Sequence, residues 1–119
     1  MTRSARIDVT ADHRRLLLEV LGANLPRHAK AWVFGSRASG RARRYSDLDL
    51  AIDAGRRLTL DEMARLTEAF SDSDLPYRVD VVDWHGLDDR FRRLIAGERV
   101  LLGPAQPGTP ASAAISSSG

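Results

Sequence analysis

Three segments of the chain carry apolar residues at the three- and four-residue spacing of an amphipathic helix. The first follows Thr10, a favoured type of N-cap residue, and ends at Pro26, since proline interrupts a helix. The second follows Thr59, which forms a capping-box pattern with Glu62. The third runs over residues 87–96 and is followed by a glycine. The pattern therefore predicts three helices.

Other segments are typical of β-strands. Residues 31–34 form a short apolar run before a glycine, which indicates a buried strand. Residues 47–53 alternate strictly between polar and apolar side chains. Residues 78–83 are rich in valine, and residues 100–102 form a last extended segment. The apolar face of the alternating strand consists of Leu48, Leu50 and Ile52.

The lengths of the connections constrain how these strands pair. Only about ten residues separate the first two strands, too few for a parallel crossover of a dozen or more. The first pair is therefore expected to be antiparallel. The next connection, residues 54–77, contains a whole helix and permits a parallel return. These expectations define an α/β (α+β) fold in which helices pack on a small mixed β-sheet.

Length and composition limit the chain to one domain. It has 119 residues and a mass of 13.1 kDa. The folded domain is expected over residues 1–102. Residues 103–119 contain three of the five prolines, together with serine and alanine, and this composition predicts a disordered tail. Cysteine is absent, which excludes disulfides, zinc–thiolate sites and thiol nucleophiles.

Charge and hydropathy exclude further classes of function. Eighteen Lys and Arg residues oppose 16 Asp and Glu residues, and this near balance argues against direct nucleic-acid binding despite a pI of about 9.7. No apolar stretch approaches the roughly 20 residues of a membrane span. The N-terminal residues also lack the apolar segment of a signal peptide. A cytoplasmic protein without membrane association is expected.

The alternating strand and the turn before it contain the candidate chemistry. Asp47, Asp49 and Asp53 share one face, although neighbouring carboxylates repel each other. Such a row is either a solvated polar face or a cation site, and oxygen ligands suit Mg²⁺ or Mn²⁺. Gly35 and Ser36 directly follow the first strand, and a glycine turn before a short helix favours phosphate. Antiparallel pairing would place this turn beside the acids, as phosphoryl or nucleotidyl transfer requires.

A third acidic residue is available on the strand formed by residues 78–83. Asp80 and Asp83 are an odd number of positions apart, so only one of them can face the same side as the other acids. Asp80 lies deeper in the strand and is the preferred candidate. Asp83 is interpreted as a surface residue at the strand end.

The spacing of these residues resembles a known family signature. Gly35-Ser36, ten further residues and Asp47-Leu48-Asp49 are similar to the signature of the DNA polymerase beta-type nucleotidyltransferases. The short chain resembles their minimal nucleotidyltransferase (MNT) branch. The resemblance covers residues 30–83 closely, and it implies the nucleotidyltransferase fold.

The resemblance also implies a role for each matching residue. Gly35 and Ser36 would hold the triphosphate of ATP, and Arg37 would contact a phosphate. The catalytic residues would be the acids Asp47, Asp49 and Asp80, which would bind two Mg²⁺ ions.

Small bacterial members of this branch are typically antitoxins encoded beside a helical HEPN-type toxin, an RNA-cleaving protein. The resemblance therefore implies a Mg²⁺-dependent enzyme that transfers AMP from ATP to a tyrosine hydroxyl of the cognate HEPN-type toxin and so neutralises it. Two alternatives stay open: an antitoxin that acts by binding alone, and a small-molecule nucleotidyltransferase with an aminoglycoside-like acceptor. The short chain favours an acceptor presented by another protein.

Overall fold

The computed structural model describes residues 7–104, in which each predicted helix and strand is present. In chain order the elements are α1 (Ala11–Asn24), β1 (Lys30–Phe34), α2 (Ser36–Ser39), β2 (Leu48–Asp53), α3 (Leu60–Ser71), β3 (Val79–Asp83), a 3-10 turn (Trp84–Gly86), α4 (Asp89–Ala96) and β4 (Val100–Pro104). Helix α4 begins later than predicted because Asp88 caps it, accepting a hydrogen bond from the Phe91 N–H at 2.8 Å.

The strands form one sheet in the order β3-β2-β1-β4. Strand β1 is antiparallel to both β2 and β4, and β2 is parallel to β3. The antiparallel pairing predicted for the first two strands is therefore confirmed, and the second connection makes the parallel return that its length permits. The register pairs Phe34 at the end of β1 with Asp49 near the start of β2. This pairing brings the Gly35 turn to the edge of the sheet where β2 and β3 begin.

One face of the sheet packs against α1 and α3 and forms the hydrophobic core. The alternation in β2 points its apolar side chains into this core and its acidic side chains to the opposite face. The largest fully buried side chains of the domain are Leu17, Leu21, Val33, Leu48, Leu50, Ile52, Leu66, Ile95 and Leu102.

The helix starts follow the capping signals in the sequence. The Thr59 hydroxyl accepts from the Glu62 N–H at 3.0 Å, and the Glu62 carboxylate accepts from the Thr59 N–H at 2.8 Å. This capping box satisfies two backbone donors and confirms the predicted start of α3. Thr10 caps α1 in the predicted way, accepting from the His13 N–H.

The described chain ends with an edge strand. Strand β4 includes Gly103 and Pro104, the first two residues of the predicted tail, and Pro104 is paired with Lys30. An edge strand tolerates proline because one side of its backbone needs no ladder hydrogen bond. The rest of the predicted tail, residues 105–119, lies outside the described residues, as do residues 1–6. Within the described range, no helix has the length and apolar character needed to cross a membrane.

We expect Leu50→Ala to lower the free energy of unfolding by about 3 kcal/mol, because it leaves a cavity under the centre of the sheet. Leu60 is the matched control, since it lies on α3 but is 90% exposed. Leu60→Ala should change stability by less than about 0.5 kcal/mol. Equilibrium denaturation measures both variants, and equal losses would contradict the assigned core face.

Candidate active site

A sharp turn at Gly35 links the end of β1 to α2. Gly35 has φ 77° and ψ −153°, a backbone region that is essentially restricted to glycine. A Cβ atom at this position would also collide with Oδ2 of Asp49. The turn therefore requires glycine for two reasons, its backbone conformation and its close approach to a carboxylate. Ser36 follows as the first residue of the four-residue helix α2.

Two candidate acids lie side by side on adjacent strands. Asp49 and Asp80 are register partners across the parallel pair β2 and β3. Asp49 is half-buried, and on its other side it is paired with Phe34, next to the Gly35 turn. Asp47 is exposed and immediately precedes β2. The structure thus brings Asp80 and the Gly35 turn to opposite sides of Asp49.

The acids perturb one another electrostatically. Burial raises the pKa of Asp49 above its ordinary value, and the negative charges of Asp80, Asp47 and Glu98 raise that pKa further. A counter-charge at Asp80 comes from Arg78, whose Nε donates to Oδ1 at 3.0 Å. This ion pair is weak because the Arg78 side chain is 75% exposed. The centre of the cluster therefore keeps an excess of negative charge.

The donor chemistry of this cluster fits Mg²⁺. Asp47, Asp49 and Asp80 offer only carboxylate oxygens, which are the ligands that magnesium prefers. Within residues 7–104, no three His, Asp or Glu side chains already stand close enough together to hold a metal ion. In this arrangement Oδ1 of Asp80 accepts a hydrogen bond from Arg78. Binding a cation here requires the carboxylates to draw together, and the positive charge of the cation would offset the repulsion between them.

The remaining acids of β2 and β3 have structural partners. Asp53 lies on the same face as Asp49, but its carboxylate accepts from the Gly55 N–H at 2.9 Å and contacts Nε2 of His85 at 2.7 Å. Burial alone would raise the pKa of Asp53, but these hydrogen bonds lower it. Asp83 accepts from two backbone N–H groups, those of Leu58 and His85. Asp83 therefore anchors a loop and a turn, whereas Asp80 lies beside Asp49.

Arg37 occupies a different place from the one that the family resemblance implies. Its side chain is only 5% exposed, and its guanidinium stacks on the Tyr77 ring at 4.0 Å. The guanidinium also donates to backbone carbonyl oxygens at distances between 2.7 and 3.3 Å. The acceptor residues are Asp8, Arg43, Arg44 and Ser46. With these donors in use, the guanidinium is not free to bind a phosphate, and Arg37 instead orders the loop that leads to Asp47.

Sequence reasoning missed Glu98, which lies in the turn between α4 and β4. Its Oε2 accepts a hydrogen bond from the Gly35 N–H at 3.1 Å. A glutamate in a polar turn far along the chain from Gly35 carries no motif that indicates this contact. Only the pairing of β4 with β1 brings the two residues together.

Comparisons with known proteins identify relatives of this chain. Residues 18–105 match the family described as polymerase beta, nucleotidyltransferase. A probable protein adenylyltransferase MntA of Haemophilus influenzae is 42% identical over 102 residues, which cover 86% of this chain and 89% of that relative. The chain belongs to the polymerase beta-type nucleotidyltransferase family. This finding confirms the family that the Gly-Ser and Asp-x-Asp signature indicates.

Solved structures share the fold of this nucleotidyltransferase. A protein described as a minimal nucleotidyltransferase is 35% identical, with a TM-score of 0.57 over 75% of this chain and 88% of that one. A toxin–antitoxin crystal structure with AMP-PNP gives a TM-score of 0.66 at 24% identity, covering 83% and 76% of the two chains. A mutant MntA–HpeT toxin–antitoxin gives 0.63 at 21% identity, covering 83% and 75%. These two complexes support the fold alone.

We expect Arg37→Ala to destabilise the protein by about 3 kcal/mol, because it removes charged hydrogen bonds from several part-buried carbonyl groups. Arg37→Lys should be nearly as destabilising, since a lysine cannot reach the same set of acceptors. Arg41→Ala, at an exposed position in the loop that follows α2, is the control. Denaturant titration of all three variants tests the assignment, which wild-type stability in Arg37→Ala would contradict.

The charge of Asp49 should lower the stability of the folded protein at neutral pH. Because its pKa is raised in the folded state, its ionised form opposes folding, and this penalty disappears as the pH falls through the folded-state pKa. Asp49→Asn should therefore increase stability at pH 7 by roughly 0.2–1 kcal/mol without divalent cations. The gain should shrink in acid. Asp74→Asn, at an exposed loop position, is the charge-matched control, and an equal gain there would count against the like-charge cluster.

Proposed function

We propose that this chain is a Mg²⁺-dependent protein adenylyltransferase that transfers AMP from ATP to a tyrosine hydroxyl of a HEPN-type toxin, and so acts as an antitoxin in the cytoplasm. The observation that carries the proposal is the convergence of Gly35, Asp49 and Asp80 at one edge of the sheet. The 42% identity to a probable protein adenylyltransferase supports this activity. This relative shares the name MntA with a component of the MntA–HpeT toxin–antitoxin, and the shared name supports a toxin as partner.

Gly35 and Ser36 are the proposed triphosphate site. Because Gly35 has no side chain, the backbone of the turn can lie directly against the Asp49 carboxylate. The N–H groups at the start of α2 are potential donors to phosphate oxygens. The role of Arg37 is indirect in this proposal, because its guanidinium holds the loop from Arg43 to Ser46.

Asp47, Asp49 and Asp80 are the residues that would hold two Mg²⁺ ions. When bound, the ions would neutralise the charge of the triphosphate and of the leaving pyrophosphate and would activate the attacking hydroxyl. The excess negative charge around Asp49 supports this role, since it disfavours the cluster in the absence of cations. The half-buried position of Asp49 also makes each charge–charge interaction there stronger than at an open surface.

The proposed reaction is an in-line substitution at the α-phosphorus of ATP. The tyrosine oxygen forms a bond to the α-phosphorus, and the bond from that phosphorus to the oxygen bridging to the β-phosphate breaks. Pyrophosphate leaves with the electron pair of this bond. Asp80 is the candidate acceptor of the tyrosine proton, because only its Oδ1 is engaged by Arg78.

Exposed apolar side chains on α4 and β4 support a protein acceptor. Phe91 of α4 is 40% exposed and packs edge-to-face on Phe34, the residue before Gly35. Leu94 and Leu101 are also exposed, at 66% and 44%. Exposed apolar side chains close to a reaction site are typical of a surface that binds another protein.

The test uses a HEPN-type toxin from the gene adjacent to the one that encodes this chain. The two proteins are incubated with Mg²⁺ and ATP labelled on either the α- or the γ-phosphate. We expect label on the toxin from α-labelled ATP only, with a mass increase of one or more AMP units. Label from γ-labelled ATP would instead indicate phosphorylation and would overturn the proposal.

Substitution of the acids completes this test. Asp47→Asn and Asp49→Asn should each lower the labelling rate about 100-fold or more, because the bound ions contribute several kcal/mol to transition-state stabilisation. Asp74→Asn should label at the wild-type rate. A toxin that is still neutralised by Asp49→Asn without being labelled would instead support an antitoxin that acts by binding alone.

A further inference from the structure

The carboxylate of Glu98 is hydrogen-bonded to a backbone N–H group that the proposed nucleotide site would offer to a phosphate. Its Oε2 accepts from the Gly35 N–H at 3.1 Å. Gly35 is the residue immediately before α2, and its amide is one of the potential donors to a phosphate oxygen. A carboxylate on such a donor occupies the position that an anionic ligand would take.

The backbone around Glu98 is held in place although its side chain is exposed. The N–H groups of Glu98 and Arg99 both donate to the Ile95 carbonyl, at 3.0 and 2.8 Å. The Arg99 guanidinium stacks against two indole rings, at 4.0 Å from the Trp32 centroid and 4.5 Å from the Trp84 centroid. The turn therefore presents Glu98 to Gly35, while the exposed carboxylate stays free to move away.

Charge leads to the same interpretation. The negative charge of Glu98 contributes to the raised pKa of Asp49, so the Glu98 carboxylate lies within electrostatic reach of the acidic cluster. Among the ion pairs formed within residues 7–104, none includes Glu98. The Glu98 carboxylate therefore opposes the binding of a triphosphate in two ways. It occupies the Gly35 N–H, and its negative charge repels the ligand.

We propose that Glu98 sets the affinity for the nucleotide by competing with a phosphate group for the Gly35 N–H. In the free protein the carboxylate holds this amide, and it must swing away before the triphosphate can bind there. This inference rests on the proposed nucleotide site. Glu98 is neither a metal ligand nor a proton acceptor in this proposal. In either of those roles, its substitution would not increase the affinity for the nucleotide.

The test is calorimetric titration of the whole chain with Mg²⁺–ATP. Glu98→Ala removes the competitor, and we expect it to lower the Kd about three- to tenfold, the range for loss of one competing hydrogen bond of ordinary net strength. Glu98→Gln removes the charge but keeps an acceptor of similar length, so its effect should be no larger. Glu19→Gln, at an exposed position on α1, is the charge-matched control and should leave the Kd unchanged.

Glu98→Asp separates contact from charge. It keeps the negative charge but is one methylene shorter, so its carboxylate should not reach the Gly35 amide. Direct competition predicts a lower Kd for this variant too, whereas an unchanged Kd would overturn the proposal. Thermal unfolding of each variant confirms that it is folded before it is titrated.

A second ligand locates the effect. Mg²⁺–tripolyphosphate contains the phosphate chain without the nucleoside, and Glu98→Ala should improve its affinity by a similar factor. No improvement for tripolyphosphate, or weaker binding of Mg²⁺–ATP by Glu98→Ala or Glu98→Gln, would overturn the inference. If the wild-type chain binds neither ligand, the proposed nucleotide site itself is wrong. If the wild-type chain binds both ligands and substitution of Glu98 leaves both affinities unchanged, only the inference about Glu98 is wrong.

Discussion

The antiparallel pairing of β1 with β2 is the constraint on which the site depends. Its register puts the last residue of β1 opposite Asp49, so the chain must turn at Gly35 directly against a carboxylate. A shift of one residue in this register would send the acids into the core and the leucines to the opposite face. The burial of Leu48, Leu50 and Ile52 under α1 and α3 is therefore also what holds the acids in place.

Electrostatics at this edge of the sheet oppose the packing beneath it. Leu48 and Leu50, the neighbours of Asp49 along β2, are fully buried on the opposite face of the sheet, and Asp49 is itself half-buried. The same burial raises its pKa, and the nearby carboxylates add to that effect. A site that is destabilising when empty can gain more from a bound cation, since the cation relieves repulsion as well as forming new contacts.

Local signals predicted the helices and strands, the antiparallel pairing of β1 with β2 and the choice of Asp80 as the neighbour of the other acids. These follow from period-two alternation, capping residues and connection length, which are all properties of short segments. The burial of Arg37 could not be predicted in this way, because its acceptors come from separate segments that only the fold brings together. The contact between Glu98 and Gly35 escaped prediction for the same reason, since it depends on β4 lying beside β1.

Arg37 also makes the order of one loop depend on other parts of the fold. Its guanidinium needs Asp8 before α1, the loop that ends at Ser46, and the ring of Tyr77 before β3. Contacts between segments so distant in the chain can form only when the fold has brought those segments together, and closing the intervening loops has an entropic cost. The loop bearing Asp47 would thus become ordered only once the sheet is assembled, so a partly folded chain would have its hydrophobic core before it had a complete set of acidic ligands.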